Sequence, residues 1–368
     1  MTEQVEAFTQ EQFDTMPWPD AKSEAFRRSD ISVFKAEGHS SQAVNARVAL
    51  DGPYGTLLEA GAARSKFSTL LKPTDGKLQS LHALGPVQTC LITVPRDSQG
   101  ALPTEATFGY DDTGSGLYRT RSVASVEPGA SGVFIERHRG GSTAVQAIHT
   151  LEIFVATGAS LDVVVINDLD HQFVSLVFEA FHIERGGALR LFHLERGAKL
   201  RRINIRGVLA GADACCALTG ALIAGAGQNV DTHMDIVHAE RRTKSEMLWK
   251  TVLDANAKGS FLGMVRIEKQ ATGSEAFQAS HNLMLSAKAQ ANPDPRLEIW
   301  ADDVRAKHAA TTGYLDDEQL FYLRSRGFEE ADARRLLTLG FLQDAIRHLP
   351  AAIAAEAQES LRAKVYAG

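Results

Sequence analysis

Cysteine is scarce in this 368-residue chain, which contains three, at positions 90, 215 and 216. Three cysteines without regular spacing do not make a disulfide framework and indicate a reducing compartment. No apolar run approaches the ~20 residues of a membrane-spanning helix, and the polar start MTEQVEAFTQEQFDTM does not have the pattern of a secretory signal. Positive charge shows no excess, because the formal net charge is −6. These absences predict a cytoplasmic protein with neither a membrane nor a nucleic-acid partner.

Familiar catalytic motifs are missing as well. The sequence has no Gly-Lys-Ser/Thr phosphate loop, no Gly-x-Ser-x-Gly elbow, no His-Glu-x-x-His pair and no Cys-x-x-Cys pair. Any nucleotide hydrolysis must therefore come from a partner. We expect the chain not to be an enzyme.

Short β-branched runs dominate from about residue 86 to 300, among them CLITV, DVVVIN, FVSLVF and MVRIE. Most are four to six residues long, which suits strands. A Gly-Ala step recurs between them, as at Gly129-Ala130 and Gly158-Ala159, and suits tight corners. Few amphipathic helices separate the runs, which argues against a doubly wound α/β sheet. A β-sandwich and a parallel β-helix both remain open, and the density of corners favours the β-helix.

The two flanking regions have helical patterns. Residues 1–85 mix helix formers with prolines and glycines, which predicts a mostly helical, irregular region. Residues 301–368 contain LDDEQLFYLRSRG, with acidic residues in its first turn, and EEADARRLLTLGFLQDAIRHLP, which stops at Pro350. We therefore predict an all-β core over 86–300 between two helical regions.

The densest polar cluster lies in VDTHMDIVH, where Asp231, His233 and Asp235 share one face of a strand because side chains alternate. Two carboxylates and an imidazole are suitable metal ligands. A polar ladder outside the sheet, or a buried hydrogen-bonded network, explains the same pattern, so these alternatives stay open. Cys215 and Cys216 point to opposite faces of a strand and are expected to pack rather than to share a ligand.

A long C-terminal segment carries a family resemblance. PDPRLEIWADDVRAKHAATTGYLDDEQLFYLRSRGF, residues 293–328, resembles the C-terminal signature of the SufB/SufD family of iron–sulfur cluster assembly proteins. The matching features are a Pro-x-Leu-Glu-Ile strand from Pro295, an Ala-Asp-Asp-Val stretch, His308 and a Leu-Arg-Ser-Arg-Gly helix end. The Val-Asp-x-His run upstream also resembles the family.

This resemblance implies a right-handed parallel β-helix core with N-terminal and C-terminal helical regions. It implies a non-catalytic subunit that pairs with its SufB-like paralogue through the ends of the two β-helices. A SufC-like ATPase is expected to dock on the C-terminal helices, and a transient iron–sulfur cluster to form near the paralogue junction. No cofactor is expected to stay bound, while flavin binding and a homodimer in isolation stay open. The ATPase-docking candidates are Leu320, Phe321, Arg324, Arg326, Leu336 and Phe341, any one of which can instead pack the helices together.

Between the two paralogues, the chain is more similar to SufD. Ala309 follows His308, where the SufB pattern places Glu, and no cysteine precedes residue 90. The His-x-Ala-Thr-Thr run from His308 is similar to SufB instead, and Ala306 stands where many SufD sequences have cysteine. His308 is therefore the cluster- or metal-ligand candidate at the subunit junction.

Two alternative functions stay open. One is a SufB-like scaffold that itself holds the nascent cluster. The other is a β-helix carbohydrate-active enzyme with Asp231 and Asp235 as its carboxylate pair, and the missing secretory signal counts against it.

Overall fold

The computed structural model describes residues 8–20, 22–23, 26–35, 43–44, 46–58, 69–84, 87–100, 102–110, 117–140, 145–347, 349 and 351–367. They form a parallel β-solenoid of about seven turns, in which strands make up 53% of the structure and short helical regions lie at the termini. The predicted β-helix is confirmed, and the β-sandwich is wrong. A search of the described helices finds none that is long and apolar enough to cross a membrane.

The N-terminal segment combines short helices and strands: α1 Gln10–Thr15, β1 Ala43–Val44, β2 Arg47–Asp51, β3 Gly55–Leu58 and α2 Lys77–Ser80, with 3-10 turns at Ser32–Lys35, Pro73–Asp75 and Leu81–Ala83. The solenoid strands are β4 Gln88–Val94, β5 Thr104–Tyr110, β6 Leu117–Val126, β7 Ser131–Gly140, β8 Gln146–Val155, β9 Ser160–Leu169, β10 Val174–Ile183, β11 Ala188–Gly197, β12 Leu200–Leu209, β13 Cys215–Ala224, β14 Asn229–His238, β15 Lys244–Leu253, β16 Lys258–Ile267, β17 Ser274–Met284, β18 Gln290–Ile299 and β19 Val304–Tyr314. The C-terminal helices are α3 Asp317–Ser325, α4 Glu330–Ile346 and α5 Ala351–Ala367.

Strands alternate between two parallel sheets. The even-numbered strands β4 to β18 form one sheet, called the even sheet here, and the odd-numbered strands β5 to β19 form the odd sheet. Each two-strand turn stacks on the previous one in register, as in the pairing of Val174 with Leu200. Side chains that alternate toward the interior fill the space between the sheets, which is the main core.

Tight corners join the strands. Gly129 and Gly158 have φ values of +73° and +65°, a left-handed conformation that glycine adopts without a Cβ clash. The alanines that follow, Ala130 and Ala159, are buried, and the carbonyl of Ala130 accepts a hydrogen bond from the next turn at 2.9 Å. The predicted corners at these two steps are confirmed.

The flanking segments cover the outer faces of both sheets. On the even sheet, the N-terminal segment contributes side chains such as Phe13 to an apolar cluster that includes Phe178. On the odd sheet, α4 and α5 contribute side chains such as Leu342 to a cluster that includes Phe192. Because most strands are buried on both faces, their sequences are nearly continuous apolar runs rather than strict alternations.

Strands extend beyond the predicted β core at both ends. β2 and β3 lie within residues 1–85, where helix was expected, and pair antiparallel with β5 and β4. Pairing with an existing sheet edge decides the conformation of these short segments, which have little apolar periodicity of their own. At the other end, β19 continues the odd sheet to Tyr314, inside the region 301–368 that was expected to be helical. The first helix begins at Asp317 after its N-cap Asp316, at the start of the predicted LDDEQLFYLRSRG helix.

Candidate functional site

The C-terminal end of the solenoid is open. In the part of the chain that the structure describes, β18 pairs only with β16, and β19 only with β17. Residues 307–314 of β19 are exposed. Strand edges of this kind present backbone N–H and C=O groups to which another strand can add.

His308 lies in the middle of β19, beside Gln278 of β17. Val304 and Ala306 of the same strand pack against the interior core. Because side chains alternate along a strand, His308 points to the same, interior side. No described turn covers it, so its imidazole is exposed at the mouth of the solenoid. Its role as a cluster ligand stays a prediction.

The three thiols lie away from this mouth. Cys90 and Cys216 are buried in the interior core and Cys215 is half-buried on the outer face, so the two adjacent cysteines do point in opposite directions. Burial raises the pKa of Cys90 to about 12, and burial also raises the pKa of Cys216. Thiols held protonated in this way are poor metal ligands, so the open end of this chain offers an imidazole without a thiolate.

Asp231, His233 and Asp235 do share one face of β14, and His233 Nε2 lies 3.0 Å from Asp231 Oδ1. Both carboxylates accept hydrogen bonds from arginines. Arg202 donates to Asp231 at 2.6 Å and Arg266 donates to Asp235 at 3.1 Å. Burial raises the pKa of Asp231, but the hydrogen bond from His233 and the charge of Arg202 outweigh it and lower that pKa. Because Asp231 is fully buried, this pair does not line an open carbohydrate groove. Metal binding by the trio stays a prediction.

The C-terminal helices divide into a packed part and an exposed part. Of the six docking candidates, Leu320 is buried and Phe341 packs against the odd sheet, where its ring lies 4.8 Å from Lys250 Nζ. The other four are exposed on α3, on the turn after it and on the first half of α4: Phe321, Arg324, Arg326 and Leu336.

Two aromatic residues that the sequence analysis passed over enlarge this surface. Tyr322 and Phe328 are also exposed, and the Arg326 guanidinium lies 5.2 Å from the Tyr322 ring centroid. We call the four apolar side chains Phe321, Tyr322, Phe328 and Leu336 the α3–α4 patch. Tyr322 and Leu336 line one shallow groove between the two helices, and exposed apolar groups near arginines are typical of a protein-binding surface.

Comparison with known proteins identifies the family. The SufBD core domain of the SUF system for iron–sulfur cluster assembly matches residues 110–341. This chain belongs to the SufBD family. The predicted SufB/SufD resemblance is thereby confirmed, and the match spans β5 to the middle of α4.

Curated relatives include both paralogues. The chain is 35% identical over 264 residues to an iron–sulfur cluster assembly SufBD family protein of Mycobacterium tuberculosis, covering 70% of this chain and 66% of that protein. It is 26% identical to SufD of Bacillus subtilis over 289 residues, covering 76% of this chain and 64% of that one. It is 24% identical to SufB of the same organism over 295 residues, covering 80% and 63%. This chain thus matches just under two thirds of the length of these relatives.

The interior of this SufBD solenoid holds ionisable residues that the sequence analysis did not single out. His193 lies between two glutamates, with Nε2 3.0 Å from Glu179 and Nδ1 2.9 Å from Glu195, and Arg201 donates to Glu195 at 2.9 Å. Burial lowers the pKa of His193, but the charges and hydrogen bonds of the two glutamates outweigh it and raise that pKa to about 9. The doubly protonated imidazole and Arg201 therefore neutralise both carboxylates in the core.

Proposed function

We propose that this chain is a SufD-like, non-catalytic subunit of an iron–sulfur cluster assembly complex, paired with a SufB-like paralogue and moved by a SufC-like ATPase. The observation that carries the proposal is the open C-terminal end of the solenoid, where the free edges of β18 and β19 and the side chain of His308 are exposed together. Membership of the SufBD family supports iron–sulfur cluster assembly as the process, and we assign this end to it.

Pairing with the paralogue would extend both sheets. β18 and β19 are neighbouring edges of the two sheets, so a second solenoid can add a strand to each and bury the exposed face of β19. A second copy of this chain presents the same edges. A homodimer in the absence of the paralogue therefore stays an open alternative.

The nascent cluster is cargo at this junction. His308 supplies a single imidazole, and Ala306, two residues before it, supplies no thiol. Iron–sulfur clusters are held mainly by thiolates, so most ligands would come from the paralogue. This division of ligands favours a SufD-like over a SufB-like role.

The ATPase would bind the α3–α4 patch. The rest of α4 is fixed to the odd sheet, where Lys250 Nζ lies 2.9 Å from Asp344 Oδ2 and 3.0 Å from the Phe341 carbonyl. A displacement of the patch on nucleotide binding is therefore transmitted to the last turns of the solenoid. Such a movement changes the junction only if the ATPase binds its two states with different affinity.

One experiment tests the docking surface. The double variant Phe321→Asp/Leu336→Asp should abolish co-purification of the ATPase, because it places two charges in an apolar interface. The full chain is co-expressed with both partners, and subunit ratio and metal content are measured. Leu102→Asp is the matched control, since Leu102 is also exposed but lies near the N-terminal end. Retention of the ATPase by the double variant would contradict this docking site.

A second experiment tests His308. His308→Ala should leave the complex assembled but lower cluster maturation by about tenfold or more, since a ligand is lost. His171→Ala, at another exposed histidine, should change neither. Unchanged maturation in His308→Ala would remove His308 from the site. Anaerobic reconstitution of a stable cluster on the isolated chain would instead support the SufB-like alternative.

A further inference from the structure

A second group of candidate ligands lies inside the solenoid, in the turn formed by β7 and β8. Glu136 and His138 project inward from β7 and His149 from β8, and none is more than 1% exposed. Both imidazole Nε2 atoms lie 2.9 Å from Glu136 Oε1. One ligand atom from each of the three residues falls within 4.8 Å of the others.

Hydroxyl groups orient both imidazoles. Tyr110 Oη lies 2.8 Å from His138 Nδ1, and Thr120 Oγ1 lies 2.8 Å from His149 Nδ1. A hydroxyl that accepts from Nδ1–H leaves the lone pair of Nε2 directed at the shared centre. Outer hydrogen bonds of this kind are the usual way in which metal-ligating histidines are positioned.

Several buried polar atoms around this centre have no hydrogen-bond partner. They are Glu136 Oε2, both amide atoms of Asn167, and His149 Nε2, which lies 2.9 Å from Glu136 Oε1 without forming a hydrogen bond to it. Asn167 is fully buried and pairs in register with His138 on the next turn, about 4.8 Å away along the sheet. Each unsatisfied buried group costs ~1–3 kcal/mol. A bound cation would give the two acceptors among the candidate ligands, Glu136 Oε2 and His149 Nε2, a partner.

The interior histidine His193 shows the contrasting arrangement. Both of its ring nitrogens face carboxylates, and Arg201 balances the second negative charge. The charges of that network balance, although Glu179 Oε1, like Glu136 Oε2, has no hydrogen-bond partner. The difference at Glu136 is that two imidazoles converge on a single carboxylate oxygen.

We propose that Glu136, His138 and His149 bind one divalent transition-metal ion, zinc or ferrous iron, inside the solenoid. Two imidazoles and a carboxylate suit both ions. Metal–ligand bonds of ~2.0–2.1 Å at tetrahedral angles place ligand atoms ~3.4 Å apart, so the 2.9 Å contacts need to open by a few tenths of an ångström around the ion.

The surroundings make this a closed site. The Phe108 ring stacks on His138 at 5.2 Å and meets His149 edge-on at 5.2 Å. Closed sites of this kind contribute to folding rather than to catalysis. We therefore expect the ion to enter during folding and to exchange slowly from the folded chain.

The test uses the full chain, refolded with Zn²⁺ or anaerobically with Fe²⁺, then desalted. Metal content by mass spectrometry should approach one ion per chain, and the preferred ion identifies the occupant. His138→Gln/His149→Gln should reduce retention at least tenfold. His238→Gln is the matched control, because His238 is a buried histidine hydrogen-bonded only to Thr243 and Ser245, and it should retain the ion.

Two results would overturn the site: no metal on the refolded wild-type chain, or equal metal on wild type and double variant. If the double variant does not fold, the test is X-ray absorption spectroscopy of the wild-type chain loaded with Co²⁺. The spectrum must show two imidazoles in the first coordination shell of the ion, and their absence rejects the proposal. Neither failure affects the proposed assembly role, which is measured by subunit ratio.

Discussion

The two ends of the solenoid differ in how their strand edges are treated. At the N-terminal end, the short strands β2 and β3 pair antiparallel with β5 and β4 and are the last strands of the two sheets. At the C-terminal end, the long parallel strands β18 and β19 end the sheets, and no described segment pairs with their free edges. A change to short antiparallel strands therefore ends the solenoid on one side, whereas the other side keeps two full-length edges open.

The side chains follow the same division. Val48 and Leu50 of β2 pack against the interior core, whereas the second half of β19 is small, polar and exposed, as in Ala310 and Thr312. Arg305 and Lys307 add positive charge to this free edge. Charges on a free strand edge oppose edge-to-edge pairing with unrelated strands, so these two residues restrict which strands can add to the open end.

The largest expected difference between sealed and open regions concerns two histidines on the interior side. His193→Gln should lower the free energy of unfolding by about 3–5 kcal/mol, because it leaves Glu179 without its charged partner in the core. His308→Gln should change it by less than about 0.5 kcal/mol, since that side chain is exposed. Urea titration of both variants measures the difference. Equal changes in the free energy of unfolding would mean that His308 at the open end is held as firmly as His193 in the core.

A lysine substitution at each end of the solenoid should affect a different property, stability at one end and paralogue binding at the other. Leu50→Lys should cost about 2 kcal/mol of stability, because it removes an apolar contact with the core, and should leave paralogue binding intact. Thr312→Lys should leave stability unchanged and weaken paralogue binding at least about tenfold. Calorimetric unfolding and binding titration on the same preparations separate these outcomes. The comparison of the ends fails if Thr312→Lys unfolds the chain.

A smaller effect concerns pH. His193 has a folded pKa of about 9 against 6.5 for the unfolded chain, so its stabilising contribution is complete below pH 6.5 and disappears as the pH rises through 9. The expected slope is at most ~1.4 kcal/mol per pH unit. Unfolding free energies from pH 6 to 9 should fall less in His193→Gln than in wild type or His308→Gln. Parallel curves for all three proteins would contradict the charged state assigned to His193.

Much of the solenoid was predictable because its corners and strands leave local signals. Short β-branched runs predicted the strands, and glycine steps such as Gly129-Ala130 predicted the corners. A stronger signal was available in the spacing: the even-sheet strands β6 to β16 begin at residues 117, 146, 174, 200, 229 and 258. A recurrence of 26 to 29 residues is typical of stacked two-strand turns.

The interior ligands were harder to predict, for a geometric reason. In GVFIERHR, Phe134, Glu136 and His138 alternate with Val133, Ile135 and Arg137. Both sets contain apolar residues, because α5 covers the outer face of this strand as the core covers the inner one. Periodicity alone therefore cannot decide which set faces inward. That His149 meets Glu136 depends on the opposing sheet, which the local sequence does not encode.

The predicted boundary of the helical region at residue 301 was too early for a related reason, although the first helix itself begins where its pattern predicts. β19 has few apolar residues and depends on its pairing with β17, so its strand conformation leaves little trace in composition. The exposed and polar side chains that made β19 difficult to predict also leave its free edge accessible to another chain.

The C-terminal helices act as a longitudinal brace along the odd sheet. Asp344 attaches to Lys250 on β15, the Ser360 carbonyl to Arg196 on β11, and Glu356 to Arg137 on β7. A pull applied at α3 is consequently shared among turns far from the mouth, as shear across many backbone hydrogen bonds. The solenoid would then tilt as one rigid body, and the bending that a movement of the ATPase requires would occur at the junction between the two proposed subunits.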